Sequence, residues 1–159
     1  MNNDSKSYKL LLGMAIVLVL VIALITGCTG KGASSDNVVS EIAMSKSVSA
    51  DSRPIDPATV FATDTRALYL SFKVSNFPVG TNLQVEWIYL GGDPEAEALA
   101  GKNYVAETQT ATITKKGEGY TYTTYSRDVP GYETWPKGDY KVVISADGVE
   151  KAVTYFKIQ

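Results

Sequence analysis

Histidine is absent from all 159 residues of the chain. It is the commonest general base near neutral pH and the commonest metal ligand in proteins. Its absence excludes Ser–His–Asp and Cys–His catalysis. Zinc would be left with carboxylates alone, an unfavourable ligand set. We therefore expect a non-enzymatic protein that uses no cofactor.

Cysteine and charge are also scarce. Cys28 is the single cysteine, so an intramolecular disulfide is excluded and the core alone must stabilise any exported domain. The chain has 15 Lys and Arg against 17 Asp and Glu, which gives a formal net charge of −2 with no basic tract. This mild, dispersed acidity argues against nucleic acid as a partner.

The N-terminus holds the longest apolar run of the sequence. Lys6 and Lys9 precede residues 10–25, which are almost all Leu, Val, Ile and Ala, and two small residues then lead into Cys28. This order of charge, apolar run and small residues is typical of a secretory signal. Because it ends in cysteine, it resembles the lipobox of prokaryotic lipoproteins, with Ile25 at a position where that family more often has Leu.

The lipobox resemblance implies a diacylglyceryl group on Cys28 and removal of residues 1–27 as a signal peptide. An uncleaved signal anchor is the alternative, although residues 10–25 are shorter than the roughly 20 apolar residues of a span. Both alternatives place the rest of the chain outside the cytoplasm, since the N-terminal lysines stay inside. Residues 28–37 are rich in Gly, Ser and Ala, which predicts a flexible tether.

Beyond the tether, apolar residues alternate with period two, which predicts strands with one face on a core and one in water. Asp147-Gly148 predicts a hairpin to a last antiparallel strand over residues 150–158. Residues 94–100, between a proline and Gly101, predict a short helix. The alternating core residues are Leu68, Leu70, Phe72 and Val74; Leu83, Val85, Trp87 and Tyr89; and Tyr140, Val142, Ile144 and Ala146, with Tyr69, Ser71, Lys73, Gln84 and Glu86 on the solvent faces.

Short antiparallel strands joined by turns predict an all-β sandwich or barrel. Trp87 lies in mid-strand between Phe72 and Val142, which resembles the Cys–Trp–Cys spacing of immunoglobulin domains, and Tyr140 resembles the tyrosine corner two residues before the second cysteine. The resemblance implies an immunoglobulin-like antiparallel β-sandwich over residues 38–159. Trp87 would be its core tryptophan and Val142 would replace a cysteine, because both cysteines are absent.

Aromatic residues suggest one candidate binding segment. Tyr132 and Trp135 follow a Pro-Gly turn, and such residues are enriched at binding surfaces. We predict that they contact a partner; alternatively, Trp135 closes the open end of the sandwich. For Tyr120 and Tyr122 we favour a role in covering a sheet face, as aromatic residues prefer strands.

Loop carboxylates leave an enzymatic alternative open. Glycoside hydrolysis uses two carboxylates across a cleft, and the same oxygens could bind Ca²⁺, although no EF-hand pattern is present. We instead expect solvated loops. The acids concerned are Asp93, Glu95 and Glu97 in one loop, and Asp51, Asp56 and Asp64 in another region.

The sequence thus predicts a lipid-anchored protein on the extracytoplasmic side of the cell membrane. Its sandwich would be a binding or interaction module for an envelope protein or a surface polymer. Two alternatives remain: a carboxylate-dependent glycan hydrolase, and a structural accessory domain of an envelope complex with affinity supplied by sheet edges.

Overall fold

The structure is a computed structural model that describes residues 37–127 and 134–159. The predicted signal peptide, Cys28 and Tyr132 therefore lie outside the described residues. Almost all the regular structure within these two ranges is β-strand. The strands are β1 (Val38–Ser45), β2 (Ser47–Val48), β3 (Pro54–Ile55), β4 (Val60–Phe61), β5 (Ala67–Ser75), β6 (Asn82–Gly91), β7 (Tyr104–Thr112), β8 (Glu118–Ser126), β9 (Gly138–Ala146) and β10 (Val149–Ile158), and the helix is α1 (Pro94–Ala100).

Two sheets form the body of the domain. One has the order β1-β5-β8 and the other has the order β4-β10-β9-β6-β7, while β2 and β3 form a small separate hairpin. Neighbouring strands are antiparallel except β4, which runs parallel to the end of β10. The architecture is the predicted all-β, two-sheet sandwich.

The period-two pattern is confirmed on the core side of β5, β6 and β9. All twelve alternating residues predicted to face the core are buried. Leu68, Leu70 and Val142 have no exposed surface, and Trp87 is 1% exposed. Phe156 of β10 joins the same cluster and packs edge-on against Trp87, with ring centroids 6.1 Å apart. A single apolar core therefore connects the two sheets.

Trp87, Val142 and Tyr140 occupy the places that the immunoglobulin resemblance implies. Trp87 on β6 lies directly opposite Val142 on β9. The hydroxyl of Tyr140 donates to the carbonyl of Pro136, four residues upstream, at 2.7 Å. This bond back to the preceding backbone is the contact that defines a tyrosine corner. Burial raises the pKa of the Tyr140 hydroxyl, so it stays a neutral donor.

The predicted hairpin and helix are both confirmed. Asp147 and Gly148 have φ angles of 49° and 78° and join β9 to β10. Paired positive φ values are those of a type I′ turn. Helix α1 has Asp93 as its N-cap, whose carboxylate accepts from the backbone N–H groups of Glu95 and Ala96, and Gly101 ends it.

The prediction that Ser71 faces solvent is wrong. Ser71 lies on the outer face of β5 but is completely buried, and its hydroxyl donates to the carbonyl of Ser52 at 2.5 Å. The turn that joins β2 and β3 lies over this part of the sheet and covers it. A period-two pattern identifies two faces of a strand but cannot reveal that a hairpin from an earlier part of the chain shields one of them.

Candidate functional site

Trp135 is buried at one end of the sandwich. Its side chain is 6% exposed, its indole N–H donates to the carbonyl of Thr65, and its backbone N–H donates to Thr63 at 2.9 Å. The ring packs edge-on against Tyr125, with centroids 4.8 Å apart. These contacts favour the end-closing role. Binding of a partner through Trp135 stays a prediction, and the buried indole offers a partner little surface.

The acids of the Asp93 loop hold the ends of α1. Asp93 caps the helix through one carboxylate oxygen, and its other oxygen accepts from the backbone of Lys137 at 3.4 Å. Glu97 accepts from the backbone N–H of Gly92 at 2.7 Å and pairs with Lys102 at 3.5 Å. These two carboxylates are therefore engaged with the backbone and with a lysine.

The outer face of the β1-β5-β8 sheet carries a group of tyrosines. Tyr69 lies on β5, and Tyr120 and Tyr122 lie on the same face of β8; all three are half-buried. The rings of Tyr69 and Tyr122 are 5.9 Å apart at 43°. We call these three residues the tyrosine face. Thr121 and Thr123, which alternate with the β8 tyrosines, point into the core and are buried.

Charged side chains surround Tyr120 at one end of this face. The guanidinium of Arg53 lies over the ring, with its carbon 4.2 Å from the centroid, which is a cation–π contact. The Tyr120 hydroxyl donates to Glu41, and this bond to a carboxylate raises the pKa of the tyrosine. Lys73 pairs with Glu41 at 3.8 Å and with Glu118 at 3.3 Å.

A bulge in β1 brings Glu41 to this face. The register between β1 and β5 shifts between Ser40 and Ala43, and Glu41 has a φ of 49°. An extra residue in a strand re-aims the side chain that it carries. Sequence reasoning missed Glu41 because no periodic signal in the segment VVSEIAMS marks the position of a bulge.

The β2-β3 hairpin brings Arg53 and Asp51 to the same place. Asp51 accepts from the Ser49 hydroxyl at 2.5 Å and from the Arg53 guanidinium at 2.9 Å. The hydrogen bond from Ser49, together with Arg53, lowers the pKa of the Asp51 carboxyl. Arg53 is thus oriented over Tyr120 by an acid on its own hairpin, so its charge is compensated locally.

The described part of the chain contains neither a cluster of metal ligands nor a membrane-spanning helix. No group of three or more Cys, Asp or Glu side chains within residues 37–127 and 134–159 is arranged to hold a metal ion. The helix in this part of the chain is too short and insufficiently apolar to cross a membrane.

No family model and no curated protein match this sequence. Among solved structures, the chain is similar to an immunoglobulin-like protein from Pseudomonas aeruginosa, with 11% identity, a TM-score of 0.51, and coverage of 80% of this chain and 100% of that one. It is also similar to the alkylpurine DNA glycosylase AlkC from Pseudomonas fluorescens, with 11% identity and a TM-score of 0.50 over 79% of this chain. A β-glucosidase from Listeria innocua gives 9% identity and a TM-score of 0.46.

These likenesses concern the fold alone. The chain spans 31% of the DNA glycosylase and 16% of the glucosidase, whereas the match to the immunoglobulin-like protein covers that protein completely. The sandwich described above is therefore an immunoglobulin-like fold. Such sandwiches carry many unrelated functions, so function has to be argued from the surface.

Proposed function

We propose that this protein is a membrane-anchored, extracytoplasmic lipoprotein whose sandwich binds a polymer of the cell surface without catalysis. Cys28 would carry the lipid, residues 28–37 would be the tether, and the tyrosine face would be the binding surface. The observation that carries the binding role is the grouping of Tyr69, Tyr120 and Tyr122 on one outer sheet face.

The chemistry of the tyrosine face favours an uncharged, hydroxyl-rich ligand such as a neutral polysaccharide. Tyrosine rings offer apolar area together with a polar tip. The cations beside them are already matched by acids, since Arg53 pairs with Asp51 at 2.9 Å and Lys73 with Glu118 at 3.3 Å. A face with compensated charges has little long-range attraction for a polyanion.

A non-catalytic role is supported by what the loop acids do. Asp93 and Glu97 accept hydrogen bonds from the backbone around α1, and Asp51 is held by Ser49 and Arg53. A hydrolase would need two carboxylates facing each other across a substrate cleft. The carboxylates named here instead stabilise a helix end and a hairpin.

The binding proposal is tested with the full chain, purified from membranes in a mild detergent. Co-sedimentation with an insoluble, neutral cell-wall polysaccharide should show binding, and Tyr69→Ala and Tyr120→Ala should each weaken it by about tenfold, which is about 1.4 kcal/mol. Tyr155→Ala is the matched control, because Tyr155 is 62% exposed on the outer face of the other sheet.

Two results would contradict the proposal. One is unchanged binding in both tyrosine-face variants, which would place the ligand elsewhere. The other is an absence of polysaccharide binding combined with reproducible co-purification of one envelope protein, which would identify a protein partner instead.

A further inference from the structure

Strand β8 is an edge strand. It is the last strand of the β1-β5-β8 sheet, and within residues 37–127 and 134–159 no strand pairs with its other side. Its pairing with β5 runs without a register shift from Ala67–Ser126 to Ser75–Glu118. The free side of β8 is therefore a straight row of backbone groups.

The even-numbered residues of β8 carry the backbone N–H and C=O groups that lie on its free side. Directly beyond the two ends of the strand, Arg127 donates its N–H to Arg66 at 3.1 Å and Asn76 donates to Gly117 at 3.3 Å. The odd-numbered residues of β8 therefore bond to β5, because antiparallel pairs alternate between bonded and non-bonded positions. It follows that the N–H and C=O groups of Tyr120, Tyr122 and Thr124 point away from the sheet.

The other long edges of the sandwich carry protective features that β8 lacks. Strand β1 is interrupted by the bulge at Glu41. Strand β7 has a register shift and carries Glu107 on its core side. Bulges and inward-pointing charges are the devices by which proteins prevent pairing at edges. From Gly119 to Ser126, β8 has no charge, no proline and no register shift.

We propose that β8 pairs with β8 of a second copy of this chain, antiparallel and about a two-fold axis at Tyr122. The two three-stranded sheets would then join into one continuous sheet. Tyr122 is both the midpoint of Glu118–Ser126 and an outward-bonding residue, so full overlap and a complete hydrogen-bond pattern occur in the same register. A two-fold contact of this kind closes on itself and does not propagate into a fibre.

The side chains of β8 are self-complementary in this register. Tyr122 faces Tyr122 of the second copy, Tyr120 faces Thr124, and Thr121 faces Thr123. Aromatic and Thr cross-strand pairs stabilise antiparallel sheets. Glu118, the only charged residue of the strand, faces Ser126, so no like charges oppose each other.

One contact already reaches the free side of β8. The side-chain amide of Gln109, on β7, donates to the carbonyl of Thr124 at 2.9 Å. A carbonyl oxygen accepts two hydrogen bonds, so this one leaves Thr124 available to a second strand. The bond also ties β8 to the other sheet, which holds the edge in place before pairing.

Cysteine cross-linking in membranes tests the register directly. In a bonded antiparallel pair the Cα atoms at the axis are about 5.5 Å apart, within the roughly 4.4–6.8 Å of a disulfide. Tyr122→Cys should therefore give a disulfide-linked dimer under mild oxidation. Glu118→Cys should not, because its two copies would be separated by about 27 Å. The unmodified chain controls for any cross-link through Cys28.

A charge variant gives an independent readout in detergent. Tyr122→Lys places two cations against each other at the axis and should raise the dimer dissociation constant at least about tenfold, as measured by analytical ultracentrifugation. Tyr155→Lys makes the same change on the outer face of the other sheet, where Tyr155 is 62% exposed, and should leave the dimer intact. A monomeric wild type without a Tyr122→Cys cross-link overturns the proposal. A dimer that cross-links equally through Glu118→Cys also overturns it.

Discussion

Glu107 is a carboxylate that lies on the partly buried core side of an edge strand. It lies opposite Trp87 in the β6–β7 register, on the side of β7 that faces the other sheet. Partial burial raises the pKa of its carboxyl above the ordinary value of 4.5. An acid placed inward on an edge strand disfavours pairing of that edge with another chain. Burial of this carboxylate therefore lowers the stability of the folded protein, but it also disfavours pairing of β7 with another chain.

The sign of this effect predicts a pH dependence. Because the pKa of Glu107 is higher in the folded than in the unfolded chain, stability declines as the pH rises above 4.5 through the raised folded value. Glu107→Gln should remove this decline. Thermal unfolding should show the variant melting above the wild type at pH 7, with the difference lost below about pH 4.

Glu86→Gln is the control for this experiment, since Glu86 is on the outer face of the neighbouring strand β6, opposite Thr108. It removes one carboxylate outside the core side, and so separates the effect of burial at position 107 from the loss of a charge. Parallel pH profiles of the wild type and the Glu107 variant would show that Glu107 is not desolvated in the folded protein.

The two tryptophans show what can be predicted for a single residue. Trp87 is predictable as a core residue because it lies within a regular strand pattern, and it is 1% exposed. Trp135 lies just before β9 with no periodic context. Its burial depends on the carbonyl of Thr65, a residue distant in sequence to which its indole N–H donates. Only a tertiary contact of this kind decides whether such a side chain faces a partner or the core.

Long strands and short strands differ in how well their sequences reveal them. The core pattern of β5, β6 and β9 is visible as alternation over seven residues in each strand. Strands β2, β3 and β4 have two residues each. Two residues cannot establish a period, so these elements are recognisable only in the folded structure, where β2 pairs with β3 and β4 pairs with β10. The same reason explains why Arg53, carried by the β2-β3 hairpin, was not predicted to reach Tyr120.

The start of β9 requires glycine at position 138. Gly138 has a φ of +138°, and a Cβ there would lie 2.1 Å from the carbonyl oxygen of Gly91. Gly138→Ala should therefore lower the free energy of unfolding by about 1–3 kcal/mol for the clash, in addition to the backbone strain. Urea unfolding followed by tryptophan fluorescence measures this loss.

Gly148→Ala is a suitable comparison for this clash. Gly148 has a φ of +78° but nothing within 4 Å of its would-be Cβ. It should lose only about 1–2 kcal/mol, the strain of a left-handed residue. Equal losses in the two variants would show that β6 and β9 do not approach each other as closely as described here.

Anchoring of the N-terminus determines where the sandwich works. If Cys28 carries a lipid, two acyl chains hold the protein at the membrane, whereas a single chain would bind only marginally. We expect Cys28→Ser to abolish incorporation of labelled fatty acid and to leave a precursor that retains residues 1–27. Metabolic labelling followed by intact mass measurement of the membrane fraction checks both effects.

The control for the labelling experiment is Ser34→Ala in the predicted tether, which should label as the wild type does. A wild-type protein that takes up no fatty acid and keeps residues 1–27 would replace the lipid anchor by a transmembrane signal anchor. That outcome would leave the extracytoplasmic location in place, since both anchors orient the N-terminal lysines towards the cytoplasm.

The residues alone predicted an all-β sandwich or barrel, the core faces of the long strands, the Asp147-Gly148 hairpin and the helix after Asp93. The resemblance to immunoglobulin domains added the choice of a sandwich and the tyrosine corner. Each of these depends on local periodicity, turn chemistry or a short spacing, which neighbouring residues carry. The tertiary structure alone decided that Ser71 is covered, that Trp135 closes an end, and that Glu41 and Arg53 meet at Tyr120. These contacts join residues that are distant in sequence, some of them through the bulge in β1 and the β2-β3 hairpin, and no local sequence pattern predicts them.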